Sequence, residues 1–132
     1  MIHIRYSEGR EQLRLHMEGH AGYGPRGQDI VCAAASVLGE TLALAAGGQP
    51  GCRSSRAAGR LEIVCPNTPE ALIMFRMARA GFAALAAGYG AWVRMEEGEK
   101  HPIHQERRPL CKRPFQINRR SYKRLSESNG GQ

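Results

Sequence analysis

Apolar and polar residues alternate at the start of the chain, where Ile2, Ile4 and Tyr6 are separated by His3 and Arg5. A period of two predicts a half-buried strand. Ser7-Glu8-Gly9-Arg10 reads as a turn. Leu13, Leu15 and Met17 then alternate with Arg14, His16 and Glu18, which predicts a second strand returning beside the first. Gly19 breaks that strand, and His20 stands at the mouth of a loop, Ala21-Gly22-Tyr23-Gly24-Pro25-Arg26-Gly27. Gly22, Gly24 and Gly27 give this backbone access to positive φ, so a mobile segment is expected. Asp29 suits a helix cap, with the helix running from Ile30 to about Ala46 and stopping at Gly47-Gly48. Residues 49–59 read as polar loop, and Leu61, Ile63 and Cys65 as a short third strand. Thr68 caps a second helix, with Pro69 at its first position and Glu70 in its first turn. Met74, Met77, Ala78, Gly81, Phe82 and Leu85 form its expected apolar stripe, and Gly88 ends it. Ala91, Val93 and Met95 make a last strand. The order β-β-α-β-α-β predicts an α+β fold, two helices against one four-stranded sheet.

Length and composition narrow the class. At 132 residues, with 42% apolar and 23% charged side chains, the chain is the size of one globular domain. The most apolar stretch, Ile30 to Ala46, is interrupted by Ser36, Glu40 and Thr41, so no run approaches the ~20 residues of a membrane span. The alternating start is unlike a signal peptide, and no membrane contact is expected. The net charge of +7 is uneven. Residues 1–100 hold 11 Lys or Arg against 10 Asp or Glu, while 101–132 hold 8 against 2. A nearly neutral domain over residues 1–100 therefore carries a basic C-terminal tail, 101–132. That distribution argues against a body built around a nucleic-acid groove. Cys32, Cys52, Cys65 and Cys111 show no C-x-x-C spacing and are expected to be reduced thiols in a cytoplasm.

Chemistry concentrates between residues 19 and 36. With Asp29 as cap, Cys32 is the third residue of its helix, where unpaired N–H groups and the dipole favour a thiolate. The glycine loop can fold His20 back toward that helix end. An imidazole beside such a thiol is the arrangement of a cysteine nucleophile, with backbone N–H groups at the helix start available for an oxyanion. A cysteine followed by three alanines is also the pattern of a small buried residue, and on spacing alone that is the commoner case.

Gly19-His20-Ala21, and Gly27-Gln28-Asp29-Ile30-Val31-Cys32-Ala33-Ala34-Ala35-Ser36 after the loop, resemble the signature of the ribosomal-processing cysteine protease family, Prp. The twelve-residue step from His20 to Cys32 matches without a gap. The resemblance covers about residues 1–97 and implies Cys32 as nucleophile and His20 as base. It implies supporting roles for Asp29, as cap or as orienter of His20, and for Ser36, one turn beyond Cys32. By the same resemblance the loop carrying Gly22, Gly24 and Gly27 admits the substrate, no cofactor is needed, and the protein is a homodimer. Family members remove an N-terminal leader from large-subunit ribosomal protein number twenty-seven. Prophage-encoded relatives trim capsid or scaffold proteins. Pro25-Arg26 and the basic tail depart from the family pattern.

Elsewhere the signals are thinner. His101-x-x-His104 with Cys111 lacks a fourth ligand, so no metal site is expected. Cys52 and Cys65 read as a loop thiol and a strand thiol. Paired Arg107-Arg108, Lys112-Arg113, Arg119-Arg120 and Lys123-Arg124, with Phe115 and Tyr122 between them, suit RNA or ribosome contact, and equally a solubilising or disordered tail. The expectation is a cytoplasmic cysteine endopeptidase that cuts a leader from a ribosomal protein. The alternatives are a phage capsid or scaffold substrate, and a non-enzymatic ribosome- or RNA-associated module acting through the tail.

Overall fold

The computed structural model describes residues 1–98. The basic tail, His101, His104, Cys111 and the domain boundary expected near residue 100 lie outside the described residues. The elements in chain order are β1 (Ile2–Glu8), β2 (Gln12–Glu18), α1 (Ile30–Ala46), β3 (Arg53–Ala57), β4 (Arg60–Pro66), α2 (Pro69–Gly88) and β5 (Val93–Glu97).

The sheet has five strands in the order β3-β4-β2-β1-β5, one more than the sequence predicts. All neighbours are antiparallel except β1 and β5. The additional strand is β3, whose five residues Arg53-Ser54-Ser55-Arg56-Ala57 are all exposed. It lacks the apolar alternation that marks a strand because it lies at the sheet edge. Its two arginines are the charges that keep such an edge from pairing with another chain. A two-residue turn, Ala58-Gly59, closes the β3–β4 hairpin with Ala57 opposite Arg60.

Both helices lie on one face of the sheet. Ile2, Ile4, Tyr6, Leu13, Leu15, Leu61, Ile63 and Val93 are buried there, so the period of two in β1, β2 and β4 reports this face directly. α1 comes close to the strands at Gly39, where a Cβ would lie 2.7 Å from Leu61 Cδ2, so any larger residue would have to displace that side chain. Gly81 does the same for α2 against Leu38 of α1, with 2.6 Å to its Cδ2.

The core stripe of α2 differs from the expected one. Its buried residues are Ala71, Phe75, Ala78, Phe82 and Leu85, while Met77 is exposed and Met74 and Gly81 are half-buried. Phe75 and Phe82 are fully buried, and turning the helix to cover both rings moves the methionines outward. By length and composition α2 could cross a membrane, contrary to the expectation that no segment could, yet this stripe packs in the core. The helix starts are as expected: Asp29 caps α1, and Thr68 Oγ1 accepts from Ala71 N at 3.2 Å to cap α2.

The cysteines depart from expectation as well. Cys52, just before β3, and Cys65 in β4 form a disulfide instead of standing as two separate thiols. The β3–β4 pairing brings them together, and that pairing is the contact the sequence does not reveal. Cys32 is the free cysteine among the described residues.

Candidate active site

β2 delivers His20 through an unusual exit. Gly19 has φ +96, and a Cβ there would collide with the Met1 carbonyl oxygen, so this residue has to be glycine. Its N–H donates to the Gly59 carbonyl at 2.8 Å, which ties the end of β2 to the β3–β4 turn. His20 follows, exposed, at the rim of a cavity of about 220 Å³. Cys32, Ser36 and Glu40 line the same cavity from α1, and Ala57, Gly59 and Arg60 line it from the hairpin. Spacing of four places Cys32, Ser36 and Glu40 on one stripe of the helix. The structure thus gathers His20, Cys32 and Ser36 around one space.

Asp29 organises the approach. Its Oδ1 accepts from Val31 N at 3.0 Å and Cys32 N at 2.9 Å, and its Oδ2 accepts from Tyr23 N at 2.9 Å and Gly24 N at 3.2 Å. One carboxylate therefore caps α1 and grips the glycine loop. The Cys32 N–H foremost, with those of Gly24, Tyr23 and Val31, holds the Asp29 carboxyl below its ordinary range against an opposing desolvation. Of the two roles open to Asp29, the cap is present, and its hydrogen bonds run to backbone N–H groups, not to His20.

The loop itself is less uniform than its glycines suggest. Gly22 and Gly27 have φ +70 and +84, whereas Gly24 keeps an ordinary φ beneath the Gln28 carbonyl. Tyr23 presents its ring edge-on to Trp92 and Tyr89, with centroids 4.9 and 5.6 Å away. These contacts anchor the loop to the end of α2, a link the sequence analysis misses because the partners lie 66 and 69 residues on.

Cys32 is half-buried, and its Sγ accepts from the Ala21 N–H at 3.2 Å. The peptide unit joining His20 to Ala21 therefore touches the thiol. Val31 and Cys32 N–H groups are taken by Asp29, and Ala33 N donates to the Asp29 carbonyl at 3.0 Å. The helix-start donors expected to serve an oxyanion are already engaged, which leaves Ala21 N–H as the donor aimed at the sulfur. Sequence reasoning also misses Gly59, Glu40 and Arg56, because the hairpin that brings them here has no apolar pattern. Glu40 accepts from Arg56 Nε at 3.0 and 2.9 Å, joining α1 to β3. No metal-ligand cluster occurs among the described residues.

The fold has counterparts among solved structures. A ribosomal processing protease Prp from S. aureus, solved with a covalently linked product peptide, matches with a TM-score of 0.65 at 24% identity, covering 74% of this chain and 100% of that one. The same S. aureus protease with a substrate peptide matches at 0.58 and 20% identity, again covering 74% of this chain and 100% of that one. A Streptococcus mutans protein matches at 0.57 and 24% identity, covering 74% of this chain and 93% of that one. At these identities the likeness is one of fold. No curated protein matches the chain significantly. The sequence model of the cysteine protease Prp, however, matches residues 1–94, which take in every element up to the start of β5. The chain belongs to the Prp family of cysteine proteases.

Proposed function

We propose that Cys32 is the nucleophile and His20 the base of an endopeptidase that removes an N-terminal leader from large-subunit ribosomal protein number twenty-seven in the cytoplasm. The observation that carries the site assignment is the Ala21 N–H contact on Cys32 Sγ, which brings the two halves of the sequence motif together at one cavity. The S. aureus relatives, solved as ribosomal processing proteases with peptides bound, support a ribosomal substrate.

The reaction follows from these groups. Cys32 Sγ, its proton passed to His20, attacks the scissile carbonyl carbon, and the carbonyl electrons move onto oxygen. Ala21 N–H, released from the sulfur as it becomes bonded to carbon, donates to that oxyanion. Collapse expels the amine of the mature protein, which takes the proton from His20. The leader remains as a thioester on Cys32. Water, losing a proton to His20, adds to the thioester, and the leader leaves as a carboxylate while the thiol is restored.

A homodimer is part of the same proposal. Val37 and Leu44 on α1 and Ile73 and Met77 on α2 are large apolar side chains left exposed on the helical layer. In a reducing cytoplasm Cys52 and Cys65 would open to neighbouring thiols, a change at the base of the hairpin and not at Cys32.

Mass spectrometry of products tests the substrate. The precursor of ribosomal protein twenty-seven should lose its leader in a single cut, while a prophage capsid or scaffold precursor stays whole. Cleavage of the phage protein alone would transfer the assignment to phage assembly, and cleavage of neither would remove it.

A further inference from the structure

His20 carries the proton in the proposed reaction, yet among the described residues its ring has no hydrogen-bond partner. The β3–β4 turn is the element that packs against the imidazole. A Cβ built on Gly59 would lie 2.9 Å from His20 Nε2, 3.4 Å from Cε1 and 3.7 Å from Cδ2. The ring thus rests against the bare backbone of Gly59, in space that any side chain would take.

The turn is itself held from two sides. Gly19 N–H, one residue before His20, donates to the Gly59 carbonyl at 2.8 Å. Arg56 of the same hairpin pairs with Glu40 on the helix that carries Cys32, with Nη2–Oε2 at 2.8 Å. The hairpin therefore links the strand that delivers the imidazole to the helix that delivers the thiol. We propose that Gly59 is a positioning residue for the peptidase, a backbone stop that fixes where the His20 imidazole sits relative to Cys32. The proposal rests on the reading of His20 as base.

Two demands fall on Gly59, and they can be separated. Its φ of +66 requires a residue at ease in left-handed backbone, which asparagine can also be. Contact with His20 requires the absence of a Cβ, which asparagine cannot satisfy. Gly51 is a matched control, since it has φ +76 and a Cβ there would lie 2.9 Å from Pro66 Cγ instead of meeting His20.

The test uses the full chain with Gly59→Asn, Gly59→Ala, Gly51→Ala and His20→Ala. Leader-peptide cleavage, thermal midpoint and the pH dependence of Cys32 alkylation are measured for each. Both Gly59 variants should lose about tenfold or more in cleavage, and their alkylation should require a higher pH, as in His20→Ala. Gly51→Ala should lower the thermal midpoint and leave the alkylation profile unchanged. If His20→Ala shifts the profile and the Gly59 variants do not, the positioning claim falls alone. If His20→Ala shifts nothing, the base assignment fails and the role of Gly59 falls with it. Arg56→Ala removes an exposed pair, so it reads the same claim should both Gly59 variants fail to fold. It should move the profile in the same direction, and an unchanged profile overturns the proposal.

Discussion

The backbone N–H of Ala21 points at the sulfur of Cys32 across 3.2 Å. Ala21 is buried and follows His20 directly, so the loop cannot shift without moving both the thiol's donor and the imidazole. This contact sets Cys32 beside the residue that follows His20, eleven positions earlier in the sequence. The glycine loop runs from that peptide unit to Asp29, the cap of the helix that carries Cys32.

Asp29 should show the loop and the helix to be separable. Asparagine keeps one oxygen for the α1 cap, but its amide nitrogen cannot accept from Tyr23 or Gly24. Asp29→Asn should therefore keep the helical circular dichroism of the wild type and lose about ten- to a hundredfold in cleavage. Asp29→Ala should lose helix stability as well. Because the carboxyl is held below its ordinary 3.8, both grips are intact above that pH and fail as pH falls through the lowered value. Unchanged cleavage by Asp29→Asn would show that the loop needs no hold on the helix.

Glu8 should give the fold part of its acid sensitivity. Arg76 of α2 donates to it from Nε at 2.9 Å and Nη2 at 3.0 Å, and Tyr6 OH donates at 2.9 Å. The Arg76 hydrogen bonds foremost, helped by the Tyr6 hydroxyl and opposed by desolvation, hold the Glu8 carboxyl below its usual 4.5. Burial first, then Glu8, pushes the Tyr6 hydroxyl up, which keeps it a donor. A lowered carboxyl contributes its full stability above its unfolded value and loses it as pH falls through the folded one. Glu8→Gln should cost about 1 kcal/mol or less at pH 7, since Arg76 is partly exposed and screened. The variant and the wild type should converge in thermal midpoint only once pH has fallen through the lowered folded value of Glu8. A gap that persists there would assign the effect to packing.

Phe75 is the sharpest case of what the sequence conceals. It is fully buried, and Phe75→Ala should cost about 3–5 kcal/mol in denaturant unfolding. Met77→Ala, at an exposed position, should change the stability of the isolated chain by under about 0.5 kcal/mol. Equal costs would contradict the observed rotation of α2.

The difference between these two positions marks what was legible. β1, β2 and β4 could be read because every second residue is buried under the helices, so burial is printed in the sequence with a period of two, although His16 and Val64 on the opposite face are buried as well. Asp29 and Thr68 announce both helix starts, since capping is local chemistry. The stripe of α2 is blurred because alanines and methionines surround the phenylalanines and several faces look apolar. β3 was invisible, being an exposed edge with no core face to record. With β3 went Gly59, the Glu40–Arg56 pair and the Cys52–Cys65 bond, all of which depend on its pairing. His20 and Cys32 were legible as a motif, whereas the Ala21 contact that joins them is long-range geometry.

The exposed helical face should prove to be an interface. Met77 lines a cleft of about 90 Å³ between α1 and α2, and Leu44 on α1 is 75% exposed. Sedimentation of the wild type should give about twice the 14.5 kDa chain mass, and Leu44→Glu should give the single mass. A wild type that sediments as one chain would refute the dimer.

Cys32→Ala tests the central claim most directly. Alanine fits a helix that continues Ala33-Ala34-Ala35, so the thermal midpoint should stay near that of the wild type. Cleavage of a leader-bearing precursor, followed by intact-mass spectrometry under matched conditions, should fall to the uncatalysed background. The wild type, quenched in acid during turnover, should carry the mass of the leader as an acyl group on Cys32. Cleavage by Cys32→Ala at the wild-type rate, or an acyl group on any other residue, would contradict the account.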